Sequence, residues 1–460
     1  MTFTTRSPWA ALAVVLAGTF LVVLDFFIVN VALPSMQADL HASSGAIEWV
    51  VAGYALTSAV LLITAGRLGD RHGRRRAFMA GIALFTLSSA ACGVAPTAEV
   101  LVVARLVQGV AAAAIMPNVL SIIGVTYTGA DRVRALAVYG VVMGLAAVGG
   151  QLIGGVLVQI DLGGLGWRSV FLINVPVGLA ALALAPRLVP ESREAGAGRI
   201  DLRGTVLVTL GLTAVVLPLV EGRAQGWPAW TWISLAAAPL ILGAFARGQV
   251  RLALRGGTPL LVPSLFRGRA FSAGLVVQSA FWCGQASFFL VLALYLQQGR
   301  GLDALQAGLV FTVLAVAYLA ASAKAPALTM RFGRALVAEG ALVLAAGHGL
   351  LLWAVSDIGV SGSVAMLVPG LLLVGAGMGL VITPLTTIVM GAVGPEHAGP
   401  ASGALSTMQN VGNATGVAII GVLFFGAGAD PAHAFAVSVG ALCALLVGVA
   451  ALTRLLPRAS

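Results

Sequence analysis

The chain has 460 residues, 59% hydrophobic and only 9% charged, too few charges to cover a water-soluble surface of that size. It belongs in a bilayer. The net charge of +10 does not signal a nucleic-acid partner, because a polyanion binder gathers its arginines on one solvated face, and here they fall in short loops between apolar runs. The three cysteines, Cys92, Cys283 and Cys443, each sit inside an apolar run without metal-ligand spacing, so they are expected to be packing residues and no metal site is expected. Lys324 is followed by Ala325, which leaves no phosphate-binding loop and no built-in ATPase motor.

At about 20 apolar residues per crossing, spans are expected to start near Ala10, Ile47, Arg76, Glu99, Ala135 and Ser169, then near Gly204 and Trp230, and finally near Phe271, Ala304, Ala335, Ser361, Gly399 and Pro431. This is an all-α polytopic membrane protein with fourteen helices. Arg6 and the apolar run from Ala10 look like a signal peptide, but the run continues past Asp25 without a convincing cleavage site, so it is read as a retained first span. An even number of crossings puts both ends on one side. Of the 26 basic residues, all but Arg105, inside a span, and Arg168, Arg223 and Arg300, on the opposite face, fall in the loops and termini of that side. The positive-inside rule makes it the cytoplasm, with the chain in the plasma (inner) membrane.

Two stretches, Pro186 to Arg203 and about Arg247 to Arg269, read as linkers. The expected organisation is a six-helix bundle over 1–190, a linker with two additional helices over 191–270, and a second six-helix bundle over 271–460. A weak repeat supports the two halves: Arg71-His72-Gly73-Arg74 is echoed by Arg331-Phe332-Gly333-Arg334, with Met330 where the first copy has Asp70. Tandem six-helix halves point to an alternating-access carrier with its site between them.

The ten residues Gly66 to Arg75, GRLGDRHGRR, fit G-x-x-x-D-[RK]-x-G-[RK]-[RK] at every fixed position. With LDFFIVNVALP at Leu24 to Pro34, RLVQGVAAAAIMP at Arg105 to Pro117, GQLIGG at Gly150 to Gly155 and WRSVFLINVPVG at Trp167 to Gly178, the chain resembles, over essentially its whole length, the fourteen-span drug:proton antiporter branch of the major facilitator superfamily. The resemblance implies a major facilitator fold and export by proton exchange. It also implies a cytoplasmic latch in which Asp70 faces a helix N-terminus of the other half and Arg71, Arg74 and Arg75 pair with acids such as Asp131. A helix-end contact of that kind contributes about 0.3 to 1 kcal/mol, small enough to break in every cycle. The alternative for the arginines is topology anchoring alone. Two positions depart from the family pattern: Phe27 stands where a small residue is usual, making the wall near Asp25 more aromatic, and Gln151 stands where proline is frequent in the fifth span. The glycines Gly150, Gly154 and Gly155 of that antiporter motif still permit close helix packing.

Asp25 is the deepest acid of the first half, about 13 Å in from Pro34 at 1.5 Å per residue. At such a depth an aspartate costs roughly 2.5 to 3.5 kcal/mol, so it is expected to face a partner or a water-filled cavity. A low-dielectric surrounding favours an uncharged carboxyl, as a reversible proton carrier requires. Arg105 enters from the same side to about 9 Å beyond Glu99 and is the expected partner; in the resembled antiporters this arginine serves proton coupling. A structural ion pair is the alternative for both. Glu48, beside Trp49 at the start of the second span, is either an ordinary interfacial residue or a second protonation site, and Glu339 is expected to pair with Arg331 or Arg334. If the family fold holds, the cargo cavity draws on Phe26, Asn30, Asn118, Gln278, Trp282, Gln285, Phe289 and Thr383, aromatic faces with few polar groups, which suits amphipathic organic molecules. Gln409, Asn410 and Asn413 give the penultimate span a polar face.

The expected function is a proton-coupled exporter of amphipathic drugs or related compounds, with a dedicated exporter of one natural product, such as an antibiotic or siderophore, as its rival. A non-transporting sensor would tolerate loss of Asp25 and Arg105, and both are present; an enzyme lacks any evident Ser/His/Asp set or His/Glu cluster. No cofactor is expected, the drive being the proton gradient, and the chain is expected to act as a monomer.

Overall fold

Without water, a backbone inside a bilayer must satisfy its own N–H and C=O groups, so long apolar runs become helices. In the computed structural model, residues 8–193, 201–391, 393 and 398–456 are described; Arg6, Arg199 and Arg458 lie outside them. Fourteen helices among the described residues are long and apolar enough to cross a membrane. The first six are α1 (Pro8–Asp39), α2 (Ser44–His72), α3 (Arg74–Gly93), α4 (Ala98–Thr126), α5 (Gly129–Ile160) and α6 (Gly166–Leu188). Next come α7 (Leu202–Ala224) and α8 (Ala229–Leu254). The last six are α9 (Arg269–Leu294), α10 (Ala304–Phe332), α11 (Arg334–Ile358), α12 (Val368–Gly391), α13 (Ala398–Gly426) and α14 (Pro431–Leu452). Polar residues end several of them: Ser43 and Thr97 accept from the backbone of α2 and α4, and Asp303 forms a capping box with Gln306 at α10.

The two six-helix groups repeat one packing scheme. In the first, α2 and α3 pack on α4 while α1 packs on α5 and α6; in the second, α10 and α11 pack on α12 while α9 packs on α13 and α14. The halves meet through α2 with α13 and α5 with α10. The weak sequence repeat has a matching backbone event, since Gly73 (φ 116°) ends α2 and starts α3 just as Gly333 (φ 52°) ends α10 and starts α11. Both turns need a positive φ, which glycine adopts without a Cβ penalty. The additional pair sits at one side: α7 packs on α8 and also on α2 and α13, across one of the two seams between the halves.

The halves are closed against each other at the end opposite the GRLGDRHGRR loop. Gln297, in the π-helical turn after α9, donates to the Val31 carbonyl of α1 at 2.7 Å, and Gln298 donates to Gln37 at 2.8 Å. Gly155 of α5 lies so close to the start of α10 that an added Cβ would sit 2.9 Å from Leu305 Cα. Gly308 of α10 faces α5 in the same way, a Cβ there lying 2.8 Å from Gln151 O, so glycines on both helices permit the close approach.

Candidate transport site

Asp25 and Arg105 are brought together as their depths suggested. Arg105 Nη1 donates to Asp25 Oδ2 in an ion pair with both residues buried, at 1% and 0% exposure respectively. The pair is held by a wider set of uncharged groups. Arg105 Nε donates to the Val50 carbonyl of α2 at 2.9 Å, its Nη1 also donates to Gln108 Oε1 at 2.8 Å, and its guanidinium lies 4.3 Å from the Tyr54 ring centre. On the other carboxylate oxygen, Oδ1, Asp25 accepts from Gln108 Nε2 and from Asn174 Nδ2, each at 2.9 Å. Asn174 Nδ2 reaches Ser89 Oγ as well, at 3.0 Å, and Ser89 donates in turn to the Phe171 carbonyl at 2.9 Å. Five helices, α1, α2, α3, α4 and α6, thus converge on one buried carboxylate. A charge taken from water this completely persists only with paired, hydrogen-bonded partners.

Gln108, Asn174, Ser89 and Tyr54 are absent from the residues singled out by sequence. Gln108 could have been found, because three residues beyond Arg105 it shares that helix face. Asn174 sits just past the interruption at Ile173 that splits α6, and the sequence alone does not say which way α6 turns.

Other positions fall elsewhere than expected. Glu48 is not an ordinary interfacial residue: it is 1% exposed, and its carboxylate packs against Gly421 of α13, where a Cβ would lie 2.6 Å from Oε2. It belongs to the closed seam between the halves. Asn118 does not line the space between the halves; it faces α2, filling the space beside Gly69, and donates to Ala114 O at 2.8 Å. Thr383 is exposed, whereas Gln278, Trp282, Gln285 and Phe289 of α9 are buried. Asn30 is buried and donates to the carbonyls of Phe26 and Phe27. The aromatic wall runs across the seam: Phe26 meets Phe27 at 5.2 Å between ring centres, Phe27 meets Phe289 at 5.1 Å, and Phe289 stacks on Phe311 of α10 at 5.5 Å. Asn410 and Asn413 split, the first donating to Ser406 O and the second buried.

The loop motif is anchored within its own half. With the halves closed at the opposite end, Asp70 binds Arg74 at 2.9 Å, one turn on, and Asp131 lies 3.9 Å from Arg134. Glu191, just after α6, accepts from the Arg75 backbone N–H at 3.1 Å, and Arg75 donates to the Pro186 and Val189 carbonyls at 3.3 and 3.1 Å. Arg71 is exposed, Gly66 packs on Pro117, and Gly73 leaves room for the Glu191 carboxylate. The reason is proximity, since the turn at Gly73 aims the first peptides of α3 at the end of α6. Glu339 is exposed, and Arg334 donates to the Arg454 and Leu456 carbonyls just after α14 at 2.9 and 2.6 Å. Because the Glu191 contacts are partly solvated, replacing Glu191 by alanine is expected to cost less than about 1 kcal/mol, read as a small drop in melting temperature of the purified protein.

The antiporter glycines keep the role their spacing suggested. A Cβ at Gly150 or Gly154 would lie 3.2 Å from Leu24 O or 3.0 Å from Ile28 O, so both let α5 lie against the α1 backbone beside Asp25, and Gly155 faces α10. With Gln151 in place of proline, α5 runs as one helix from Gly129 to Ile160, and Gln151 is buried.

Residues 15–417 match the sequence profile of the Major Facilitator Superfamily. The chain is similar to a "Probable actinorhodin transporter" of Streptomyces coelicolor, 40% identical over 91% of this chain and 72% of that protein. It is also similar to the "Cephamycin export protein CmcT" of Amycolatopsis lactamdurans, 36% identical over 99% and 94%, and to the "Multidrug resistance protein Stp" of Mycobacterium tuberculosis, 33% identical over 88% and 73%. Among solved structures, a POT family transporter in complex with a thioalcohol conjugated peptide superposes with a TM-score of 0.70 at 16% identity, covering 96% of this chain and 94% of that one; this likeness concerns the fold. Two six-helix halves related by one packing scheme, a buried Asp25–Arg105 centre and a family match over most of its length place this chain, a multi-pass membrane transporter, in the major facilitator superfamily.

Proposed function

We propose that the protein exports amphipathic drugs or related organic compounds across the plasma membrane in exchange for protons, by alternating access, with both termini in the cytoplasm. The observation that carries this reading is the carboxylate of Asp25, wholly buried on α1 and paired to Arg105 on α4. Protonation of Asp25 cancels its attraction for the guanidinium, leaving Arg105 held by Val50, Gln108 and the Tyr54 ring; loss of the proton restores the pair. In this arrangement the end opposite the arginine-rich loop is shut, so release of a proton to, and loading of cargo from, the arginine-rich side belong to the same half-cycle. The gradient supplies about 2.3 kcal/mol per charge per 100 mV, no bound cofactor is needed, and one chain holds the whole site. The names of the relatives, which speak of antibiotic export and multidrug resistance, support a small organic cargo moving outward.

Everted membrane vesicles energised by a proton gradient test the reading with a fluorescent substrate. Asp25→Asn is expected to abolish gradient-driven uptake while leaving the protein folded; uptake like that of the wild type overturns the proton-carrier role. Relatives named for single compounds, actinorhodin and cephamycin, favour a second reading, a dedicated exporter of one natural product. A susceptibility panel in a pump-deficient host separates the two, since the first gives broad protection and the second protection against a single compound.

A further inference from the structure

The hydrogen bonds around Asp25 have a one-sided chemistry. Every group at bonding distance from its carboxylate is a donor: Arg105 Nη1 at Oδ2, Gln108 Nε2 and Asn174 Nδ2 at Oδ1. That set suits an ionised carboxylate. A protonated carboxyl carries an O–H that needs an acceptor, and a buried donor left without one costs about 1 to 3 kcal/mol. Only the two amides can offer an oxygen by rotating.

The two amides are not equivalent. Gln108 Oε1 already accepts from Arg105 Nη1 at 2.8 Å, so turning it over would set two donors face to face. Asn174 uses both of its N–H groups, toward Asp25 and Ser89, while its Oδ1 is buried and has no hydrogen-bond partner among the described residues. Turning Asn174 over loses no bond at its oxygen. It gives up both bonds of the NH2 group, to Asp25 and to Ser89, and carries that group to the side where Oδ1 stood, while the Ser89 hydroxyl keeps its own acceptor, the Phe171 carbonyl.

We propose that Asn174 is the positioning residue that reads the charge of Asp25, presenting its NH2 to the carboxylate and turning over to present Oδ1 to the O–H of the protonated acid. This rests on the proton-carrier reading of Asp25. The proton comes from the aqueous medium and binds Asp25 Oδ1; the amide rotation makes and breaks no covalent bond. Because Asn174 joins α6 to α1 and α3, each protonation event releases one bond between α3 and α6, that of Asn174 to Ser89, and leaves the one from Ser89 to the Phe171 carbonyl. The other titratable or charged groups facing Asp25 are Arg105 on α4, Tyr54 on α2 and Cys92 on α3. On the remaining sides α5 presents Gly150 and Gly154, and α9 presents Phe289 through Phe27.

Infrared titration of the purified full-length protein tests the inference through the carbonyl stretch of protonated Asp25, assigned by its loss in Asp25→Asn. Asn174→Leu has a similar size and offers neither donor nor acceptor, so each charge state of Asp25 loses a bond, while the stretch of the protonated acid is expected to shift toward that of an unbonded acid. Ser89→Ala removes the hydroxyl that holds the NH2 group toward the carboxylate, and is expected to make protonation easier with the stretch still hydrogen-bonded. A stretch in Asn174→Leu equal to the wild type, or a midpoint in Ser89→Ala that is unmoved or requires more protons, overturns the role of Asn174; if the leucine variant does not fold, the Ser89→Ala midpoint is sufficient to do so. Absence of an Asp25 band at every pH would instead sink the proton-carrier reading itself.

Discussion

Replacing Arg105 by alanine is expected to abolish transport and to lower stability by about 3 to 5 kcal/mol, because it strands a buried carboxylate whose strongest partner was the guanidinium. Three further contacts go with it: the bond to the Val50 carbonyl, the bond to Gln108 and the ring contact with Tyr54. Thermal unfolding in detergent and vesicle uptake measure the two losses separately. Lysine is expected to recover part of the stability and little of the transport, since one ammonium cannot reach Asp25, Val50 and Gln108 in the fork geometry that arginine provides. The double variant Asp25→Asn with Arg105→Gln is expected to be more stable than either single change, having no buried charge left at this centre, and still to show no gradient-driven uptake. Recovery of driven uptake in that variant would mean that the pair is structural.

The second large effect is expected at Gly155. An added Cβ there would lie 2.9 Å from Leu305 Cα and 3.1 Å from the Ala304 carbonyl carbon, both backbone atoms that cannot turn aside. Gly155→Leu is therefore expected to hold the halves apart at the end opposite the arginine-rich loop and stop transport, with overpacking of this kind usually costing about 1 to 3 kcal/mol. A cysteine placed at Val31, which is 0% exposed and whose carbonyl accepts from Gln297, reports the gap. Labelling by a membrane-impermeant maleimide is expected to be faster with leucine than with Gly155. Labelling no faster than with Gly155, together with normal transport, would show that the helices yield at this contact.

The sequence conveyed depth and charge better than it conveyed direction. Asp25 and Arg105 were legible because a charge in an apolar span is conspicuous and its depth can be counted from the helix end. Gln108 and Asn174, bonded to the same carboxylate, are uncharged and left no such mark. Asn118 faces α2 beside Gly69, a direction its own stretch of α4 does not mark, because the residues between Gln108 and Asn118 are apolar or small and carry no stripe to orient it. Glu48 was placed at a surface because counting along one helix omits the neighbour from the other half that covers it, Gly421. The loop around Asp70 was recognisable from its glycines and arginines, but its partner, Glu191, follows α6 in a stretch read only as linker. The fold, set by apolar length and the distribution of arginine, was readable at the level of helix number and halves.

The position of α7 makes the two sides of the molecule unequal. Its bonds to α2 lie near both ends, from Thr64 to Thr205 at 2.9 Å and from Trp49 to Glu221 at 2.7 Å, while its other face rests on α13. The hydrogen bonds tie α7 to the first bundle, whereas it meets α13 by packing, so α7 sheathes one of the two seams. The other flank, where α5 meets α10, has no such sheath among the described residues. Among the described residues the molecule thus has a front and a back in the plane of the membrane, sheathed at the α2–α13 seam and bare at the α5–α10 seam.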